Sequence, residues 1–195
     1  MRRVLLLLIS IFTFAAAFSQ NAEYLKSIAK YKNVPSLTAT ATRITYKNGK
    51  STSTAGTLYV KHPGRVLIQN GKDALLMNGA TFTMKKGPLK ARTNSMKDVR
   101  YKTFHDVLES IFTGGETDIT KHKDVKIQHS ATNVVLTIKP EAGDKKMMFS
   151  SFVLTIDTRA QELRSIRMTQ KGNNYTEYKF SNYKLKAPVD DKVFK

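Results

Sequence analysis

The chain has 195 residues and no cysteine, with 33 Lys and Arg against 15 Asp and Glu, a formal net charge of +18. The missing cysteines exclude disulfides, thiol catalysis and thiolate metal sites. Arg2 and Arg3 precede an uncharged run over residues 4–18, broken only by Ser10 and Thr13. That run suits the core of a secretory signal peptide and falls short of the roughly 20 apolar residues needed to cross a bilayer. Ala17 and Ser19 place small residues at the −3 and −1 positions of a cleavage site before Gln20. The expected organisation is a signal peptide over residues 1–19 and one domain over residues 20–195, long enough for a real core. No cysteine follows the hydrophobic run, so anchoring through an acylated N-terminal cysteine is excluded.

After cleavage, 31 basic and 15 acidic residues leave +16. Such a balance suits anionic partners or membrane surfaces. The basic residues are dispersed, however, in short clusters such as Lys85-Lys86 and Lys145-Lys146. No helix-turn-helix, arginine-rich arm or RNA-binding strand motif accompanies them, and no nucleic-acid partner is expected.

Along the chain, Tyr24, Leu25, Ile28 and Tyr31 recur at helical spacing, and Val34-Pro35 ends that helix. Strands are predicted over 36–46 and 51–61, joined at Asn48-Gly49, the strongest short hairpin signal. His62-Pro63-Gly64, Asn70-Gly71 and Asn78-Gly79 punctuate further strands over 65–70, 74–77 and 80–84. Residues 86–94, with Gly87 and Pro88, read as a loop. Thr103 is placed to N-cap a second helix, with Asp106 in a capping-box position, an apolar stripe of Phe104, Val107, Leu108, Ile111 and Phe112, and a stop at Gly114-Gly115. Strands resume over 125–129, 134–139, 147–157, 162–170 and 175–183. About ten short strands and two helices predict a mainly β, α+β domain: one curved antiparallel sheet with helices packed on it.

Motifs for catalysis are missing. His62, His105, His122 and His129 show no zinc-type spacing, and no nucleophile elbow, phosphate loop or dinucleotide fingerprint occurs. Asp106 and Glu109 read as an ordinary solvent face, and Asp157 as a turn residue. No enzyme, cofactor or metal is expected. The informative feature is apolar alternation: Leu58 and Val60, Val66 and Ile68, Phe82 and Met84, Phe152 and Leu154 each give their strand one apolar face. The stripe from Phe104 to Phe112 gives a helix that could cover it. Either a filled core or a cavity satisfies this pattern. Met84, Met147, Met148 and Met168 add the flexible thioethers that suit an adaptable apolar surface.

The segment Gly56-Thr57-Leu58-Tyr59-Val60-Lys61-His62-Pro63-Gly64-Arg65 resembles the signature of the periplasmic outer-membrane lipoprotein carrier (LolA) family, which reads Gly, strand residues, Val-Lys-Arg-Pro, then an aromatic-rich strand. The strand at 152–157 entering a turn, the stretch 164–168, and the tail with Phe180-Ser181-Asn182-Tyr183, Pro188 and Phe194 also resemble that family. The resemblance implies an unclosed β-barrel with a helical lid over an apolar cavity. It implies a monomeric periplasmic chaperone that carries acylated lipoproteins, with transient membrane contact, from an inner-membrane release complex to an outer-membrane acceptor. On this reading Leu58, Val60, Val66, Ile68, Phe82 and Met84 line the barrel side. Phe104, Leu108, Ile111 and Phe112 form the lid side.

Two departures stand out. His62 occupies the place of the family's Arg, which helps latch the lid, and the next strand offers Val66 and Ile68 instead of aromatics. His62 is therefore the latch candidate, expected to act more weakly and with sensitivity to pH. The alternatives are a lipid-sensing or regulatory module on the same fold, and an envelope-lipid hydrolase, for which the sequence displays no nucleophile.

Overall fold

Apolar–polar alternation and left-handed turn residues shape most of the chain. A computed structural model describes residues 21–79, 81–95, 99–119, 122–139 and 149–195. The predicted signal peptide, Met147 and Met148 lie outside the described residues. Residues 21–28 form helix α1, which tightens into a 3-10 turn at Ala29–Tyr31. Strands β1 (Ser36–Lys47), β2 (Lys50–Lys61), β3 (Arg65–Asn70), β4 (Asp73–Asn78), β5 (Thr81–Lys85) and β6 (Arg92–Ser95) follow as a meander. Helix α2 (Val99–Thr113) leads to β7 (Val125–His129), β8 (Asn133–Ile138), β9 (Ser151–Asp157), β10 (Glu162–Thr169) and β11 (Tyr175–Leu185).

The eleven strands form one antiparallel sheet in the order β6-β5-β4-β3-β2-β1-β11-β10-β9-β8-β7. The first and last strands of the chain pair in the middle, so each half of the meander becomes one arm. β6 and β7 are the two edges, and the barrel is unclosed.

Turn chemistry explains the register. Asn48 and Gly49 both take positive φ, 51° and 77°, as a two-residue hairpin of the primed type requires. Gly56 answers a different demand. A Cβ there would stand 1.9 Å from the Gln69 carbonyl oxygen and 2.8 Å from the Asn70 Cα. Its absence lets the buried Asn70 amide donate to the carbonyls of Ala41 and Thr54, stitching β1, β2 and β3.

Two expectations need correction. Arg92–Ser95 is a strand and not part of a loop, because its backbone pairs with β5 (Thr83 opposite Thr93). Helix α2 begins at Val99, so Thr103 and Asp106 lie inside it and form no capping box. Both are buried, and Lys102 one turn earlier together with His122 from beyond the helix, not a cap, satisfy Asp106.

The helices fill the concave side. Tyr24, Ile28 and Tyr31 of the first helical segment and Phe104, Val107, Leu108, Ile111 and Phe112 of α2 are buried in one core with inward residues of both arms. Tyr24 Oη donates to Ser110 Oγ at 2.9 Å and joins the helices. Tyr31 Oη accepts from the Leu163 N–H at 3.0 Å, and Tyr183 Oη donates to the Leu163 carbonyl at 2.6 Å. Burial pushes all three phenols above their ordinary pKa, so they remain neutral hydrogen-bonding groups. Tyr31→Phe should orphan the Leu163 amide and lower stability by about 1–3 kcal/mol in chemical denaturation. An unchanged midpoint would show that water replaces the phenol.

On the convex face, Val189 and Phe194 pack against Leu67, with Tyr59 and Leu76 beside them. Asp191 pairs with Lys61 and Arg65 at 2.6 and 2.8 Å, holding the C-terminal 3-10 turn Asp191–Phe194 on β2 and β3. In the β9–β10 turn the Asp157 carboxylate accepts from the Ala160 and Arg159 amides and from Arg164. The Ala160 amide contributes most to holding this carboxyl below its ordinary pKa, and slight burial opposes it. A depressed native pKa stabilises above the unfolded value of about 3.9 and is lost as pH falls through the native value. Asp157→Asn should therefore flatten the acid limb of stability below about pH 4. A curve of unchanged slope would remove Asp157 from that role.

Candidate functional site: the concave apolar face

Strand alternation and pairing build two ladders across the β1–β5 arm. One runs Leu37, Val60, Val66, Met77, Phe82; the other runs Ala39, Leu58, Ile68, Leu75, Met84. The opposite arm continues the surface with Ile166, Leu154 and Leu136 in register, and with Met168, Phe152 and Ile138. The structure thus brings Leu58, Val60, Val66, Ile68 and Phe82 onto one face, each at most 6 % exposed. Met84 is partly buried beside them and lines the mouth of the half-barrel.

Helix α2 supplies the other wall. Phe104, Leu108, Ile111 and Phe112 are buried against this face. Phe104 stacks on Phe152 of β9 with ring centroids 4.5 Å apart and meets Phe82 of β5 edge-on at 6.4 Å. It therefore bridges strands that six others separate in the sheet order. Between α2 and the sheet, beside Val60, Val66, Met77, Leu108 and Phe112, a gap of about 10 Å³ remains. That is room for about one water molecule. A larger pocket of about 340 Å³ opens at the mouth, where Leu75, Met84, Phe149 and Met168 meet Tyr178 and the Arg43–Asp73 ion pair. Burial pushes the Tyr178 phenol up to about 12, against the opposing charge of Arg43.

The C-terminus of α2 is fastened at several points. The Gly114 amide donates to Ile111 and the Gly115 amide to the Ser110 carbonyl at 2.8 Å, a Schellman closure with both glycines at positive φ. Gly114 also lies so close to the end of the first helical segment that a Cβ would stand 2.8 Å from the Lys32 backbone. His62 Nε2–H donates to the Phe112 carbonyl at 2.9 Å, in the last turn of α2. Arg65, the next basic residue, is instead committed to Asp191 and the Phe194 ring.

The bond satisfies one of the last carbonyls of α2, which have no partner within the helix. Arg65, His105, Glu109 and Glu116 line the pockets around the His62 ring.

Sequence reasoning left out Leu37, Ala39, Leu75 and Met77, although the same alternation marks them. It also took Asp106 for a solvent-facing residue. Asp106 is buried and receives Lys102 Nζ at 2.5 Å, His105 Nδ1 at 3.3 Å and His122 Nε2 at 3.0 Å. Burial raises its pKa, but Lys102, His105 and His122 together outweigh this and hold the carboxyl below its ordinary value. Among the described residues no helix is long and apolar enough to cross a membrane.

No curated protein matches the sequence. Among solved structures, it is similar to a putative outer membrane lipoprotein-sorting protein domain from Vibrio parahaemolyticus (13 % identity, 90 % of this chain and 94 % of that one, TM-score 0.45). A LolA superfamily protein from Nitrosomonas europaea shows 10 % identity over 88 % and 96 % of the two chains, TM-score 0.42. The Mycobacterium tuberculosis lipoprotein LppX shows 12 % identity over 88 % and 97 %, TM-score 0.39. The family model of the outer membrane lipoprotein carrier protein LolA matches residues 41–195, the open sheet together with α2, and the chain belongs to that family.

Proposed function

We propose that this protein is a periplasmic carrier that takes lipoprotein acyl chains onto its concave face in place of α2. It would accept them from an inner-membrane release complex and surrender them to an outer-membrane acceptor. It acts by binding and makes or breaks no covalent bond. The observation that carries this reading is the seating of the apolar face of α2, five buried side chains, across the two arms of an unclosed sheet.

Burying such side chains is worth about 1.5–3 kcal/mol each, so the helix contributes on the order of 10 kcal/mol. An acyl chain of about 16 carbons offers a similar sum at about 0.8 kcal/mol per methylene. Cargo and helix can therefore exchange at small net cost, as a shuttle that must also release its load requires. The gap of about 10 Å³ supports a closed state in which α2 occupies the cargo's place.

The test mixes the chain from Gln20 onward with vesicles bearing labelled acylated lipoprotein. A soluble complex of one cargo per chain, absent with deacylated lipoprotein, is expected. No acyl-dependent complex would remove the carrier reading, and turnover of the lipid would make the protein an enzyme. His62→Ala should loosen the closed state by the worth of one hydrogen bond, about 0.5–1.5 kcal/mol. Amide exchange in the last turns of α2 should then quicken about 2–10-fold while β1 and β11 stay protected. Equal exchange in both proteins would show that His62 is no latch.

A further inference from the structure

We propose that His105, Asp106, Glu109 and His122 form a binding site for a divalent transition-metal ion of the zinc class on the outer flank of α2. One helical turn places His105 and Glu109 on the same face (i, i+4), with Asp106 beside them. His122, from the segment between α2 and β7, brings a second imidazole to the same carboxylate. One ligand atom from each of His105, Asp106 and Glu109 lies within 4.8 Å of the others.

Three of the spacings lie near those of a first coordination sphere. His105 Nδ1 is 3.3 Å from Asp106 Oδ1 and 3.9 Å from Glu109 Oε2, and His122 Nε2 is 3.0 Å from Asp106 Oδ2. Zinc–nitrogen and zinc–oxygen bonds of about 2.0–2.1 Å meeting at the tetrahedral angle put neighbouring donors about 3.3 Å apart. These donors straddle that value. His105, Asp106 and Glu109 would supply three donors to one ion, and rotation of the His122 ring, already 3.0 Å from Asp106 Oδ2, would supply the fourth.

Donor type and charge agree. Two carboxylates balance a divalent cation, and two imidazoles prefer zinc, nickel or copper to magnesium or calcium. The side chains are 11–30 % exposed, shielded from bulk water yet reachable. Lys102 now neutralises Asp106 at 2.5 Å, but its own side chain is 56 % exposed and can swing into solvent when an ion takes its place. The bound ion would tie the segment leaving α2 to the helix itself and so stiffen it. This site does not depend on the acyl-binding reading.

Untagged protein from Gln20 onward, titrated with zinc chloride in a calorimeter, should bind one ion per chain, and magnesium should not compete. Saturating zinc should raise Tm by about 5–10 °C. His105→Gln and His122→Gln should each weaken binding at least about tenfold, with the zinc-free Tm little changed. Cobalt added to the wild-type chain should give the intense visible bands of a four-coordinate site, a readout independent of any variant's folding. Absence of saturable binding, zinc affinity unchanged in both variants, or cobalt without such bands would each overturn the site.

Discussion

Phe104→Ala should be the most damaging single truncation in the helical layer, lowering stability by about 3–5 kcal/mol. The ring is fully buried and touches both arms of the sheet, Phe82 on one side and Phe152 on the other. Six strands lie between those partners in the sheet order, so no neighbouring strand pair can close over the void. The loss should also be uneven. β1 and β11 hold each other through a long ladder that Phe104 does not enter. α2 has no such backbone partner and depends on its side chains. Amide exchange in α2 should therefore quicken on the order of a hundredfold or more, with exchange in the central strands quickened least. Urea denaturation gives the total, and native-state exchange gives its distribution. A loss below about 1 kcal/mol, or an equal acceleration in β1 and α2, would deny the helix this bridging role.

The sheet was legible because its signals are local. Leu58, Val60, Val66 and Ile68 alternate with polar neighbours, and Asn48-Gly49 carries its own turn geometry. Leu67 interrupts the alternation of β3 for a reason only the tertiary structure supplies, since Val189 and Phe194, far along the chain, cover it on the convex side. β6 was hidden because Arg92–Ser95 has no apolar face to betray a strand; its partner β5 alone defines it. The start of α2 was misplaced because Thr103 and Asp106 look like a cap when their burial is unknown. His122, sixteen residues beyond Asp106, reaches that carboxylate from outside the helix, and spacing along the chain does not encode the contact. Alternation likewise fixes which side chains face inward but not how far apart the two walls stand. Whether the concave face is filled or hollow was therefore unreadable before the rings of Phe104 and Phe152 were seen in contact.

Locking α2 against the sheet should abolish cargo uptake, the largest functional effect expected. Met77 of β4 and Leu108 of α2 line the same narrow gap, and the chain contains no cysteine of its own. In a Met77→Cys/Leu108→Cys variant the two truncations widen the gap, and a short, cleavable bifunctional thiol reagent can bridge them without competing thiols. A gap of about 10 Å³ admits no acyl chain, so on the proposed reading the cargo enters here only when α2 moves. Apparent affinity scales with the fraction of molecules able to open, and a covalent bridge takes that fraction towards zero. The bridged protein should hold acylated lipoprotein at least about a hundredfold more weakly than the unbridged variant. Cleaving the bridge should restore uptake, and each single cysteine variant should bind normally. That reversibility separates a closed lid from a damaged fold, because the same polypeptide is measured in both states. If the bridged protein binds as well as the free one, the acyl chain does not take the place of α2. The pocket of about 340 Å³ at the mouth, between Met84 and Met168, would then be the next surface to test by substitution.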